Sequence, residues 1–195
     1  MKDYFESYVK QICDDILKFE ATDSKGKQVD INEALEQWVA RAKSTRDENG
    51  LIFWCGNGAS CAMAEHMSHD WFQNAKVNTQ TCSETSHITA ISNDMSFENV
   101  FSYRIRRILS EKDILVTISS SGNSPNIIEA INAAHEKGSF VITLSGKNSD
   151  NKSRRLGDLN FWVPLPTYGL VESAHAVFLH IAIDLFLDKY EGGKH

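Results

Sequence analysis

The sequence predicts an α/β sandwich of three layers, with about five parallel strands, helices on both faces and a helical hairpin attached at the N-terminus. Three observations predict it. The runs LIFWCG, DILVTISSSG and SFVITLSG are short, apolar and free of polar alternation, and each ends in glycine or serine; strands covered on both faces of a parallel sheet read this way. Helix-length segments, Asn99 to Leu109 and Ser124 to Lys137, lie between them, so from residue 50 the order is β-α-β-α-β. Before residue 50 the apolar residues recur at helical steps instead.

Phe5, Tyr8, Val9, Ile12, Ile16 and Phe19 fall three and four apart, a wide apolar stripe on one helix face. A polar stretch, ATDSKGKQVD, follows. Asp30 then offers an N-cap with Glu33 three residues on, and Ile31, Leu35, Trp38, Val39 and Ala42 form the inward face of a second helix. Residues 1–46 therefore read as an αα-hairpin and 50–190 as the α/β core, together a single domain over 1–195. Within the core, LNFWVPLP is a fourth strand run, VNTQTC a weaker one, GKNSDNKSRRLGD a polar loop and LVESAHAVFLHIAIDLFLDKY the final helix. Phe178, Ile181, Leu185 and Phe186, added to the stripe of the first helix, leave two outcomes open. Either the hairpin covers the last helix within one chain, or copies of the chain associate.

Bulk composition narrows the function classes. A chain of 195 residues, 42% of them hydrophobic, buries a core of ordinary domain size. Its net charge of -6 argues against nucleic-acid or anionic-membrane partners. No apolar run approaches the roughly 20 residues of a membrane helix, and MKDYFESYVKQICDD lacks a signal-peptide core, which sets the expectation of a cytoplasmic protein. Cys13, Cys55, Cys61 and Cys82 show no CxxC spacing and read as reduced thiols.

Chemistry concentrates in three places. TISSSGNSPN sets serines and a glycine after a buried strand, with Ser124 as N-cap and Pro125 at the first helical position. Such a turn aims N–H groups, hydroxyls and a helix dipole at one point, which suits a phosphate monoester; it also serves as a plain capped turn. GxxxxGK[ST] is absent and GNGAS lacks the last glycine of GxGxxG, so no nucleotide is expected. CGNGASCAMAEHMSHDW places His66 and Asp70 four apart on one helix, with Glu65 and His69 beside them. That spacing serves a divalent metal, acid–base work or a solvated face. The last helix carries Glu172, His175 and His180; the aliphatic surroundings of His180 in VFLHIAI predict a buried imidazole, either functional or bonded to a backbone carbonyl.

CGNGAS…AEHMSHD, AISNDMSFENVFS, ISSSGNSPNIIEAI…KG…VITLSGK and VESAHAVFLHIAIDLF, in this order, resemble the sugar-isomerase (SIS) domain proteins, most closely the bacterial phosphoheptose isomerases. The resemblance implies a flavodoxin-like α/β fold, a homotetramer with sites at subunit interfaces and interconversion of sedoheptulose 7-phosphate and D-glycero-D-manno-heptose 7-phosphate through an enediol. By position, Ser60, Ser119, Ser121 and Ser124 would hold phosphate, with Ser120 where the family usually has threonine. Asn57 and Asp94 would contact the sugar, as would Glu172, which falls on a family glutamine. Asp70 falls on the catalytic glutamate, His180 on the catalytic histidine and His66 on the helix histidine; His66, Asp70, Glu172 and His180 then form an N2O2 set suited to one zinc per subunit. Asp70 is one methylene shorter than glutamate, Gly169 stands where aspartate is common, and the arginine that often follows the glutamate is missing. These departures keep two other outcomes in view: an isomerase or epimerase of a different phosphosugar, and a non-catalytic sugar-phosphate-binding regulator.

Overall fold

The computed structural model describes residues 3–193. Its centre is a sheet of five parallel strands, β3 (Leu51–Gly56), β4 (Asn78–Thr81), β5 (Ile114–Ser119), β6 (Phe140–Gly146) and β7 (Leu159–Val163). β3, β5, β6 and β7 are the apolar runs of the sequence; the weaker candidate became β4, the short strand at one edge.

The stretch expected to be a polar link between two helices is instead a β-hairpin. β1 (Glu20–Asp23) pairs antiparallel with β7, and β2 (Gln28–Val29) pairs antiparallel with β1, so the sheet has seven strands in the order β2-β1-β7-β6-β5-β3-β4. Asp23 makes the turn, its carboxylate accepting the Lys25 and Lys27 N–H groups at 2.9 Å, with Gly26 at φ 74°. Covering the edge of β7, otherwise a row of unpaired backbone groups, gives this polar segment its strand conformation.

α2 (Ile31–Asp47), α3 (Ala59–Gln73) and α7 (Tyr168–Tyr190) cover one face, around Trp38, Trp54, Trp71, Phe161 and Phe178. α4 (Thr85–Asp94), α5 (Ser102–Ile108) and α6 (Pro125–Glu136) cover the other, around Phe53, Ile105 and Ile131. The Asp30 cap of α2 forms, accepting N–H bonds from Asn32 and Glu33. The Glu33 carboxylate does not complete a capping box; it accepts from Gln37 Nε2. α7 is long and apolar enough to cross a membrane by length and composition, unlike the expectation above, yet more than half of that stretch is buried inside the domain.

α1 (Tyr4–Ile16) ends before Phe19, the last residue of its expected stripe, and buries no residue. Phe19 leaves the helix and stacks on Phe178, ring centroids 4.4 Å apart. Tyr8, Ile12 and Ile16 pack against the core beside α7 while Tyr4, Phe5, Val9 and Leu17 stay exposed, so within one chain the helical hairpin covers α7 only in part.

Chain order and strand order together locate a site. The chain passes from β3 outward to β4, then returns across β3 to β5 and proceeds through β6 to β7. The winding reverses between β3 and β5, and the loops leaving their carboxyl ends diverge there to open a crevice.

Candidate functional site

The crevice holds the serine turn. β5 ends at Ser119, paired in register with Ser145 of β6, while Ile118 pairs with Gly56 at the end of β3. The turn folds back on itself: Ser119 Oγ accepts the Gly122 N–H at 3.2 Å and Ser121 Oγ accepts the Asn123 N–H at 3.3 Å. Each hydroxyl is thus oriented by the backbone and retains its own hydrogen to donate. Ser120 Oγ is buried and has no partner among the described residues. Ser124 is the N-cap of α6, with Pro125 following, and makes no side-chain cap bond; the Ile127 and Ile128 N–H groups bond its carbonyl, which leaves its hydroxyl and the Asn126 N–H to a ligand.

Behind the turn, Gly122 has φ 63°, and a Cβ there would lie 2.0 Å from Asn151 Oδ1. Asn151 donates to Ser145 Oγ and to the carbonyls of Asn148 and Gly146. The Ser153 N–H bonds the Gly122 carbonyl at 2.9 Å and the Lys152 N–H bonds Asn123 Oδ1 at 3.1 Å. The polar loop after β6 is therefore a brace for the serine turn.

Across the crevice, Gly58 (φ 58°) turns the chain from β3 into α3, bringing Asn57 and Ser60 opposite the serines. Asn57 and Asn126 exchange amide hydrogen bonds at 2.8 and 2.9 Å, and Asn126 is buried. A cavity of about 220 Å³ results, lined by Asn57, Ser60, Ile118, Ser119, Ser120, Ser121, Ser124, Tyr168 and Glu172. A larger opening of about 390 Å³ lies elsewhere, beside the β1–β2 hairpin, and touches none of the predicted site residues. Of those eight substrate-contact candidates, seven line the crevice. Asp94 does not: it is the exposed last residue of α4 and accepts a bond from Asn93.

α3 and α7 lie side by side on one face of the sheet and bring a second group together. His66 Nε2 is 3.3 Å from Asp70 Oδ2 and 3.2 Å from His180 Nε2. The three could hold a metal ion, their donor atoms all within 4.8 Å of one another. Asp70, short as it is, reaches the imidazole. Glu172 is not in this group; two turns before His180 on α7, it faces the serine cavity instead. Glu65 and His69 point to solvent.

The buried imidazole expected at His180 of α7 is found at His175 instead. His180 is exposed, its Nδ1 2.7 Å from the Ala176 carbonyl, which makes Nδ1 the protonated nitrogen and leaves the Nε2 lone pair toward His66. His175 is the fully buried one, and burial lowers its pKa to about 4 although Nε2 bonds the Ser145 carbonyl. Helical periodicity explains the difference: the seam of α7 against the sheet runs through Val171, Ala174, His175, Phe178 and Ala182, and His180 falls outside it.

Asn126 and Asn151 were not among the expected site residues. Asn126 follows Pro125 in a legible motif, but its partner is 69 residues away and no local spacing announces it. Burial raises the thiol pKa of Cys55, Cys61 and Cys82 (to about 11 for Cys82), and all four cysteines are free.

Comparison with known proteins places this arrangement. The SIS domain family matches residues 19–146. The phosphoheptose isomerase of Proteus mirabilis is 33% identical over 191 residues, covering 91% of this chain and 98% of that protein. That of Azoarcus sp. is 35% identical over 162 residues, 79% of this chain and 80% of its own. The solved structure of the Neisseria gonorrhoeae phosphoheptose isomerase superposes with a TM-score of 0.79 at 29% identity, over 95% of this chain and 96% of that one. The chain belongs to the SIS-domain family and, within it, to the phosphoheptose isomerases.

Proposed function

We propose that this chain interconverts sedoheptulose 7-phosphate and D-glycero-D-manno-heptose 7-phosphate. The observation that carries the reading is the pairing of a serine crevice with a carboxylate–imidazole cluster built from two other helices. Ser60, Ser119, Ser120, Ser121 and Ser124 hold the phosphate, and the cavity's polar lining orients the sugar chain through Asn57 and Glu172. The isomerisation carries a proton between C1 and C2 and another between their oxygens. Asp70 and His180 are the groups with the chemistry to do this, His180 working through Nε2 because Nδ1 is bonded to Ala176.

The donors at His66, Asp70 and His180 fit zinc. Two imidazole nitrogens and a carboxylate oxygen, all within 4.8 Å of one another, are the donor types that zinc takes. Bound zinc supplies a Lewis acid for the charge of the enediolate. With zinc bound, His66, Asp70 and His180 would be its ligands, the acid–base roles of Asp70 and His180 would belong to the metal-free site, and Glu172, outside the donor group, would be the carboxylate left to face the sugar.

The exposed His66 and His180, the exposed outer face of α1 (Tyr4, Phe5 and Val9) and an apolar groove of Ile16, Phe19, Leu35, Val177, Phe178 and Ile181 support a homotetramer whose sites lie at subunit boundaries. Asp94, outside the cavity of its own chain, fits a role across such a boundary. The reading implies no nucleotide, nucleic-acid or membrane partner, and a cytoplasmic site of action.

The test is NMR of sedoheptulose 7-phosphate in D2O with the purified protein, with and without dipicolinate. Formation of the aldose with deuterium at C2, suppressed by the chelator, is expected. Turnover of a pentose or hexose phosphate in its place reassigns the substrate; binding without turnover makes the chain a sensor.

A further inference from the structure

The serine cavity has a charge problem. A phosphate monoester brings about two negative charges at neutral pH, yet the described lining contains no cation and one acid, Glu172. Hydroxyls and a helix N-terminus stabilise such a dianion, but a carboxylate in the same wall opposes it.

A cation sits against Tyr168, a residue of that lining. Lys147 follows Gly146, the last residue of β6. Because Ser119 pairs with Ser145 in parallel register, β5 and β6 end side by side, and Lys147 leaves β6 next to the strand end from which the serine turn departs. Three further observations fix its direction. Lys147 has φ 58°, a left-handed conformation that a side chain other than glycine or asparagine adopts at a cost, and which turns the chain sharply off the strand. Gly146 before it is clamped: a Cβ there would lie 2.5 Å from Val171 and 3.3 Å from the Ser120 carbonyl, so the strand end is held against both α7 and the serine turn. The Lys147 ammonium rests 3.9 Å from the ring centroid of Tyr168, which itself lines the cavity. No carboxylate pairs with it among the described residues. An aromatic face holds an ammonium without neutralising it.

We infer that Lys147, seated on Tyr168, is a substrate-binding residue that supplies the positive charge for the phosphate held by the serine turn. The inference rests on the crevice being a phosphate site.

The experiment compares wild type with Lys147→Met and Lys147→Arg. It measures KM and kcat for sedoheptulose 7-phosphate, and the inhibition constant of inorganic phosphate, at low and high ionic strength. Lys147→Met keeps the length and the backbone strain while removing the charge. It is expected to raise both KM and the phosphate constant about tenfold, to leave kcat within about threefold, and to flatten their salt dependence. Lys147→Arg is expected to retain most of the affinity, and the melting temperature of both variants to stay with wild type. A Lys147→Met protein with wild-type phosphate affinity and salt dependence overturns the inference, as does a loss confined to kcat. Because inorganic phosphate reads the site without turnover, a wild type that binds phosphate through Lys147 but isomerises no heptose refutes the reaction alone.

Discussion

Ser120 has a hydroxyl that nothing in the described chain satisfies. A buried unpartnered hydroxyl costs stability, and removing it from the unliganded protein removes no bond. Ser120→Ala is therefore expected to leave the melting temperature unchanged or slightly raised while weakening phosphosugar binding about tenfold, read by calorimetry and KM; equal loss of both would make it a packing residue. His180 gives the opposite pattern. Exposed and outside the core, it contributes little to folding, so His180→Ala is expected to fold normally, to lose turnover by about 10²–10⁴-fold and to retain less zinc by elemental analysis. His175, five residues earlier, belongs to stability. Its pKa falls from 6.5 to about 4 on burial, so below pH 6.5 the unfolded chain binds a proton that the folded one refuses. Stability present at pH 7 is lost as the pH falls toward 4, on the order of 3 kcal/mol. His175→Gln is expected to flatten that slope in denaturant titrations; an identical slope would clear His175.

At the scale of elements, the serine turn depends on a partner that comes later in the chain. Gly122 is glycine for two reasons, its positive φ and the Asn151 side chain where a Cβ would stand. Gly122→Ala is expected to cost about 1–3 kcal/mol and to raise KM. Adding Asn151→Ala relieves the collision but not the backbone strain, so a double-mutant cycle in urea separates the two. Failure of the second change to recover any stability would show that the brace does not press on the turn. The helices α3 and α7 make the other half of the site by lying together: the four-residue step from His66 to Asp70 sets two donors on one face, and only the packing of α7 against α3 adds His180.

The whole molecule follows a single rule: its polar chemistry sits where the winding of a doubly wound sheet reverses. β3 and β5 supply the loops, α3 and α6 begin there, and α7 starts at the rim with Tyr168 and Glu172. Farther from that point, Lys76 and Arg46 together hold the Glu191 carboxyl below its usual range and tie the end of α7 to α2 and the loop before β4.

The sequence by itself determined the parallel strands, because a strand buried on both faces has to be apolar throughout, and it determined the serine turn, whose N-cap and proline are neighbours in the chain. It carried the His66–Asp70 pair for the same reason: both contacts lie within one helical turn. Only the tertiary structure decided that ATDSKGKQVD is an edge hairpin, since the exposed edge of β7 that it covers lies some 140 residues downstream. Only packing decided which histidine of α7 is buried, that Glu172 faces the serines rather than His66, Asp70 and His180, that Asn126 bonds Asn57 at the crevice and that Lys147 rests on Tyr168. Local signals record a residue's own turn or strand; which neighbour stands across a 4.8 Å strand spacing or a helix seam is a property of the assembled sheet.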